Sequence, residues 1–169
     1  MIIGPERSGT TVHLDPLNTS AWNTSLAGYK RWVIFGSEVP KTIVKGKEFR
    51  GRGYEDEAIN YFVEILPKIR QKYSREELGM VEFIQGPGET VFVPGGLWHA
   101  VINLEDAIAV TQNVMTHEGF DNVWRSTRCE RPKFARYFLG QLERDVLEGL
   151  DRIGSCFSGR KHSTFRKGS

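Results

Sequence analysis

The sequence predicts a mainly β fold, an antiparallel sandwich or barrel followed by a helical segment, and three observations carry that expectation. Over residues 80–114 four short apolar runs, "MVEFIQ", "TVFVP", "LWHAVINL" and "AIAVTQNV", are separated by the turn residues "GPGE", "GG" and "ED". Near the start, "TTVHLDP" and "YKRWVIF" alternate polar and apolar side chains as strands with two different faces do. After Glu118 the period changes: Phe134, Tyr137, Phe138, Leu142, Val146, Leu150 and Ile153 recur at helical spacing.

The first strand, "TTVHLDP", leads into a Ser/Thr/Asn-rich connection around "NTSAWNTS". The second, "YKRWVIF", follows Gly28 and puts Lys30, Trp32 and Ile34 on one face. Residues 46–53 are rich in Gly, Lys and Arg and read as a loop. The stretch "YEDEAINYFVEILPKIRQKY" places acids early and bases late, the order a helix dipole favours, so it reads as a helix inserted between strands that Pro67 ends or kinks. The four runs of residues 80–114 then supply the remaining strands. Residues 132–153 form an amphipathic helix suited to core packing or to self-association, and the Gly/Ser/basic tail that follows reads as disordered. The expected organisation is a β core over 1–117, a helical region over 118–153 and a basic tail over 154–169.

Composition narrows the classes. The 169 residues suit one domain, and at 39% apolar and 26% charged the chain has a globular composition. A net charge of +2 gives no reason to expect nucleic acid as the main partner, and RNA contact through the basic tail rests only on short Lys/Arg clusters. No apolar run is long enough for a membrane span, and "MIIGPERSG" lacks the pattern of a signal peptide, so an intracellular protein is the default expectation. Cys129 and Cys156 form no CxxC pair and read as free thiols, which leaves zinc-finger chemistry without its sulfur ligands.

The residues that suggest chemistry are His13 and Asp15, two apart, which a strand would point to one side while Val12 and Leu14 point to the other. An isolated His-x-Asp is common. A third candidate, His99 in "VPGGLWHAVIN", shares its face with Val101 and Asn103. Two imidazoles and one carboxylate make the facial triad of non-haem Fe(II) oxygenases, with positions left open for other ligands. His117 and His162 lie outside any strand pattern and are assigned no metal role.

The motifs "GPERSGTTVHLDP", "TSAWN", "GYKRW", "DEAINYF", "GPGETVFVPGGLWH" and "AIAVTQN" resemble those of the Jumonji-C oxygenases over residues 4–133. The resemblance implies a double-stranded β-helix, a cupin-like jelly roll, with an inserted helix and helices packed outside. It implies Fe(II) at His13, Asp15 and His99, with 2-oxoglutarate as co-substrate. Lys30 matches the family's cation for the far carboxylate, and a strand lysine buried without an anion is costly. Thr111 and Asn113, on a face with Ala107 and Ala109, and Thr10 and Asn23 match positions near the co-substrate. The implied activity is oxidation of Lys/Arg-rich proteins such as histones or splicing factors, in the nucleus and also the cytoplasm. A hydroxylated lysine carbon is stable, whereas a hydroxylated N-methyl group on arginine collapses to formaldehyde.

Two other readings share the same three ligands. A zinc or manganese cupin hydrolase or isomerase would use a metal-bound water, although the pair Lys30 and Thr111 gives it an anion anchor it does not need. A non-catalytic binding module is the other, because the chain begins almost at the first metal-ligand strand, where the resemblance implies further strands and substrate-facing residues ahead of it. Only about six strands are legible against the eight of a jelly roll. On that count a sheet lacks strands supplied from before Gly4, and the chain by itself is expected to aggregate and turn over weakly.

Overall fold

The structure, a computed structural model, describes residues 1–158, with side chains described through residue 147. Among the described residues eight strands form two antiparallel sheets of four. Sheet A runs β1 (Ile2–Gly4), β8 (Ala107–Val114), β3 (Ser20–Ala27), β6 (Thr90–Val93). Sheet B runs β2 (Gly9–His13), β7 (His99–Asn103), β4 (Lys30–Ile34), β5 (Val81–Gln85). Every connection except β4 to β5 crosses from one sheet to the other, which is the wiring of a double-stranded β-helix.

The expected count of about six strands is corrected to eight, and each sheet has four. One addition is β3, which occupies the stretch read as a Ser/Thr/Asn-rich connection. It lies between β8 and β6, yet it buries the polar Ser20, Asn23 and Ser25, so it lacks the apolar alternation that announces a half-buried strand. The other is β1, three residues on the edge of sheet A, paired Ile2 to Ala109 and Gly4 to Ala107. A segment so short carries no periodicity.

The two faces of sheet B have opposite characters. Val12, Val33, Ala100 and Ile102 pack on one side into a core with Phe35, Val44, Tyr61, Ile65, Leu66 and Ile69, most of it supplied by the insertion between β4 and β5. Their sequence neighbours His13, Trp32, His99, Val101 and Asn103 line a cavity on the other side, opposite residues of sheet A. The main apolar core therefore lies outside the sandwich, between sheet B and the inserted helices, and the interior holds polar side chains beside Trp32, Val93 and Val101. Tyr61 fixes the insertion by donating its buried hydroxyl to the Val44 carbonyl at 2.8 Å.

Within the insertion, α1 (Lys41–Val44) precedes α2 (Ala58–Asn60) and α3 (Leu66–Lys72), the last two joined by a π-helical turn at Tyr61–Ile65. Of the two effects expected of Pro67, ending or kinking the helix, it does not end it. It lies in the first turn of α3, where its missing N–H is not needed, and the wide turn ahead of it takes up the mismatch. Glu82 of β5 receives Arg31 of β4, Arg70 of α3 at 3.4 Å and Arg75 at 3.8 Å, tying the insertion to the sheet edge.

The chain divides into two compact units, Met1–Val123 and a second beginning at Trp124. Two helices, α4 (Phe120–Glu130) and α5 (Pro132–Ser158), follow the last strand. Within the second unit Trp124 meets Phe138 with ring centroids 6.4 Å apart, and Phe134 stacks on Phe138 at 6.1 Å. The helix expected over 132–153 continues through Ser158, which corrects the start of the tail, and residues 159–169, with His162, lie outside the described residues. Cys129 is an exposed free thiol. No helix among the described residues is long and apolar enough to cross a membrane.

Candidate functional site

The adjacent strands β2 and β7 bring the candidate ligands together. His13, the last residue of β2, stands opposite His99, the first of β7, and their rings approach to 4.2 Å. Asp15 is not on the strand, as the two-residue spacing suggested, but just beyond it, at the N-cap of a 3-10 turn formed by Pro16–Asn18. It still faces the pair: its Oδ2 is 3.8 Å from His99 Nε2, and one ligand atom from each residue lies within 4.8 Å of the other two.

Each imidazole is held by the backbone two residues before it. His13 Nδ1 is 2.8 Å from the Thr11 carbonyl and His99 Nδ1 is 2.9 Å from that of Leu97. A carbonyl only accepts, so both Nδ1 atoms carry a proton, which leaves Nε2 of each ring as the atom to face a metal. Burial holds His99 below the usual histidine range, and the neighbouring His13 pushes the same way against the Leu97 bond and Asp15. The neutral form that results is the one able to bind a metal. Trp32 lies against the outer side of the His99 ring, 6.2 Å away and tilted by 24°. Its indole N–H donates to Gln85 Oε1 at 2.9 Å, and Gln85 in turn donates to the Asn23 and Glu89 carbonyls. Two imidazoles and a carboxylate converging with one side open fit a divalent transition metal, iron in particular.

The three ligands line a cavity of about 380 Å³, and Lys30 lines the same space. Lys30 is 3% exposed, and its ammonium donates to Asn103 Oδ1 at 2.7 Å. No carboxylate accompanies it in the cavity except Asp15, one of the candidate ligands. Burial lowers its pKa from 10.5, as expected for a cation removed from water without an ionic partner. Asn23 adds an orphan to the same wall, since its buried side-chain oxygen has no hydrogen-bond partner. Rotating that amide by half a turn offers a donor instead, which suits a bound carboxylate.

All eight residues singled out from the sequence, His13, Asp15, His99, Lys30, Thr111, Asn23, Thr10 and Asn113, line this one cavity. They are not equivalent within it. Thr10 and Asn113 are exposed. Thr111 donates its hydroxyl to the Trp22 carbonyl at 2.7 Å, and Asn113 donates to Thr19 Oγ1 at 3.0 Å, so each has part of its bonding capacity committed. Sequence reasoning missed Gln85, which orients Trp32, and Asn103, the partner of Lys30. For Asn103 the signal was present: it lies two and four residues beyond Val101 and His99 on the same strand face.

Residues 1–114 match the family described as JmjC domain, hydroxylase. The chain is 42% identical over 155 residues to the bifunctional arginine demethylase and lysyl-hydroxylase psr-1 of Caenorhabditis elegans, covering 92% of this chain and 39% of that protein. It is 41% identical, with the same coverage, to psr-1 of Caenorhabditis briggsae. Against the arginine-specific demethylase JMJ22 of Arabidopsis thaliana it is 38% identical over 147 residues, 87% of this chain and 28% of that protein. The chain thus spans about two fifths or less of the curated relatives it matches. With two thirds of its length matched to the family, and the jelly roll and the ligand triad both in place, the chain belongs to the JmjC domain family.

Proposed function

We propose that this chain carries the Fe(II)- and 2-oxoglutarate-binding core of a protein oxygenase that hydroxylates lysyl side chains, demethylates methyl-arginine, or does both. The observation that carries the proposal is a paired deficit in one cavity. Three ligand atoms point their lone pairs together with no cation among them, and one buried ammonium has only a neutral partner. A metal answers the first deficit and a carboxylate the second, so a metal-chelating carboxylic acid answers both. The relatives' activities, arginine demethylation and lysyl hydroxylation, and the 2-oxoglutarate and iron-dependent oxygenase JMJD4 of Danio rerio at 28% identity, favour the same assignment.

Iron and 2-oxoglutarate, when bound, supply the oxidation of a C–H bond. The chain's own residues do the rest. His13, Asp15 and His99 would hold the metal. Lys30, with Asn23 beside it, receives the remote carboxylate, and Trp32, Val93 and Val101 give the wall its apolar part. Lys/Arg-rich proteins such as histones or splicing factors are the proposed substrates, with nuclear residence, a cytoplasmic fraction, RNA contact by the basic tail and self-association through the C-terminal helices as further parts of the proposal.

Incubation with Fe(II), 2-oxoglutarate and Lys/Arg-rich peptides tests the reading. Succinate should appear together with peptides that gain one oxygen atom or lose one methylene unit by mass spectrometry. A chain that binds iron and 2-oxoglutarate but releases no succinate with any peptide is a binding module. One that turns over a substrate without succinate is a hydrolase or isomerase.

A further inference from the structure

Asn103 presents both ends of its amide to the protein in a way that fixes its orientation. Its Nδ2 faces three oxygens, Ser8 Oγ at 3.0 Å and the Pro5 and Gly4 carbonyls at 3.3 and 3.4 Å. Its Oδ1 faces the Lys30 ammonium at 2.7 Å. The side chain is buried, and its backbone is pinned in turn, the N–H donating to the Ser8 carbonyl at 2.8 Å and the carbonyl receiving the Arg7 N–H at 2.9 Å. The loop between β1 and β2 closes tightly around it, so that a Cβ on Gly4 would stand 2.6 Å from Ser8 Oγ and 2.9 Å from Asn103 Nδ2.

From this arrangement we infer that Asn103 is the positioning residue that keeps the Lys30 charge available for a ligand carboxylate. The inference rests on the co-substrate reading above. A buried lysine needs an acceptor to hold its ammonium in place. If that acceptor were a carboxylate, the pair would be neutral and an incoming anion would have to compete with it. An amide oxygen aims the same ammonium while leaving its positive charge uncompensated. The neutral partner therefore sets the charge preference of this end of the cavity, which takes an anion rather than a neutral molecule. Lys30 and Asn103 stand opposite each other on β4 and β7, so the sheet fixes their approach before any ligand arrives.

The test is calorimetric titration of 2-oxoglutarate into the full chain loaded with Mn(II), comparing wild type with Asn103→Asp and Asn103→Ser. Asp is nearest in shape, yet Asn103→Asp should weaken binding by roughly tenfold or more, the scale of a hydrogen bond to a charged group. Asn103→Ser, which disturbs packing more but adds no charge, should weaken it less, and both should keep wild-type Mn(II) stoichiometry. In a Lys30→Met background the Asn103→Ser change should have no further effect, since there is no ammonium left to position. A structural role alone predicts losses of 2-oxoglutarate affinity that follow each variant's loss of thermal stability and come with loss of Mn(II), and that pattern overturns the inference. Equal affinities for wild type and Asn103→Asp overturn it too. A wild type that fills with Mn(II) and binds no 2-oxoglutarate overturns the co-substrate reading and the inference together.

Discussion

The two ends of the cavity are built by opposite means. At the metal end three side chains on neighbouring elements point at one another, and their order comes from the main chain, through the Thr11 and Leu97 carbonyls that fix the two imidazoles. At the anion end one side chain waits without an ionic partner, and its order comes from another side chain, Asn103. Removing a ligand therefore dismantles the first end, whereas the second can lose affinity in steps. The difference shows which contacts are all-or-none and which are graded.

The largest effect should come from Asp15→Ala. It removes the only anionic ligand and leaves two neutral imidazoles to hold a hard dication, so iron content measured after desalting should collapse while the fold remains. Next is Lys30→Ala, which should weaken 2-oxoglutarate by roughly ten- to a hundredfold, as expected from loss of a hydrogen bond to a charged group, with iron stoichiometry unchanged. Parallel loss of iron and 2-oxoglutarate in that variant would merge the two ends into one.

A smaller effect follows from pH. Burial places the folded-state pKa of Lys30 below 10.5, so in the ligand-free chain this ammonium gives up its proton earlier than an exposed lysine. Above that folded-state pKa, binding of a carboxylate must take up a proton. Affinity for 2-oxoglutarate should fall as pH rises through this range, and calorimetry in buffers of different ionisation enthalpy should register the uptake. The same shift bears on stability with a definite sign. Between the folded-state pKa and 10.5 the unfolded chain holds the extra proton, so the ligand-free fold gains from a rise in pH there. The smallest effect should be Thr111→Val. The Thr111 proton is already given to the Trp22 carbonyl, and turning it toward a ligand forfeits that bond, so the net change in 2-oxoglutarate affinity should stay within about a few fold. A loss as large as that of Lys30→Ala would show that the hydroxyl rotates into the site.

What the sequence revealed and what it hid have one physical origin. Strands with one apolar face, such as β4 and β7, announce themselves by alternation, and so did the ligands His13 and His99, which ride on strands whose other face is core. In contrast β3 faces the polar cavity with Asn23 and leaves Leu26 exposed at its far end, so nothing in its composition separates it from a loop. A strand whose buried face is polar lacks the alternation by which a strand is recognised. The placement of Asp15 on a turn and the passage of Pro67 into α3 depend on local backbone geometry that residue spacing does not encode. Asn103 went unassigned for a different reason. An asparagine gains meaning from what it touches, and its partner Lys30 is remote in the chain.

The pairing of β2 with β7 has a mechanical consequence. As the outermost strand of sheet B, β2 is laddered to one neighbour only, and its register slips between Thr10 and His13, where the ladder is interrupted. An ion shared by His13 and His99 would act there as a rivet through the last rung, linking points near opposite ends of the β unit and closing a long loop in the process. Loading the metal should then do more than equip the site. It should slow amide exchange at Thr11, Val12 and His13 relative to the interior strand β4, so that the part of the barrel most prone to peel away becomes one of its fixed seams.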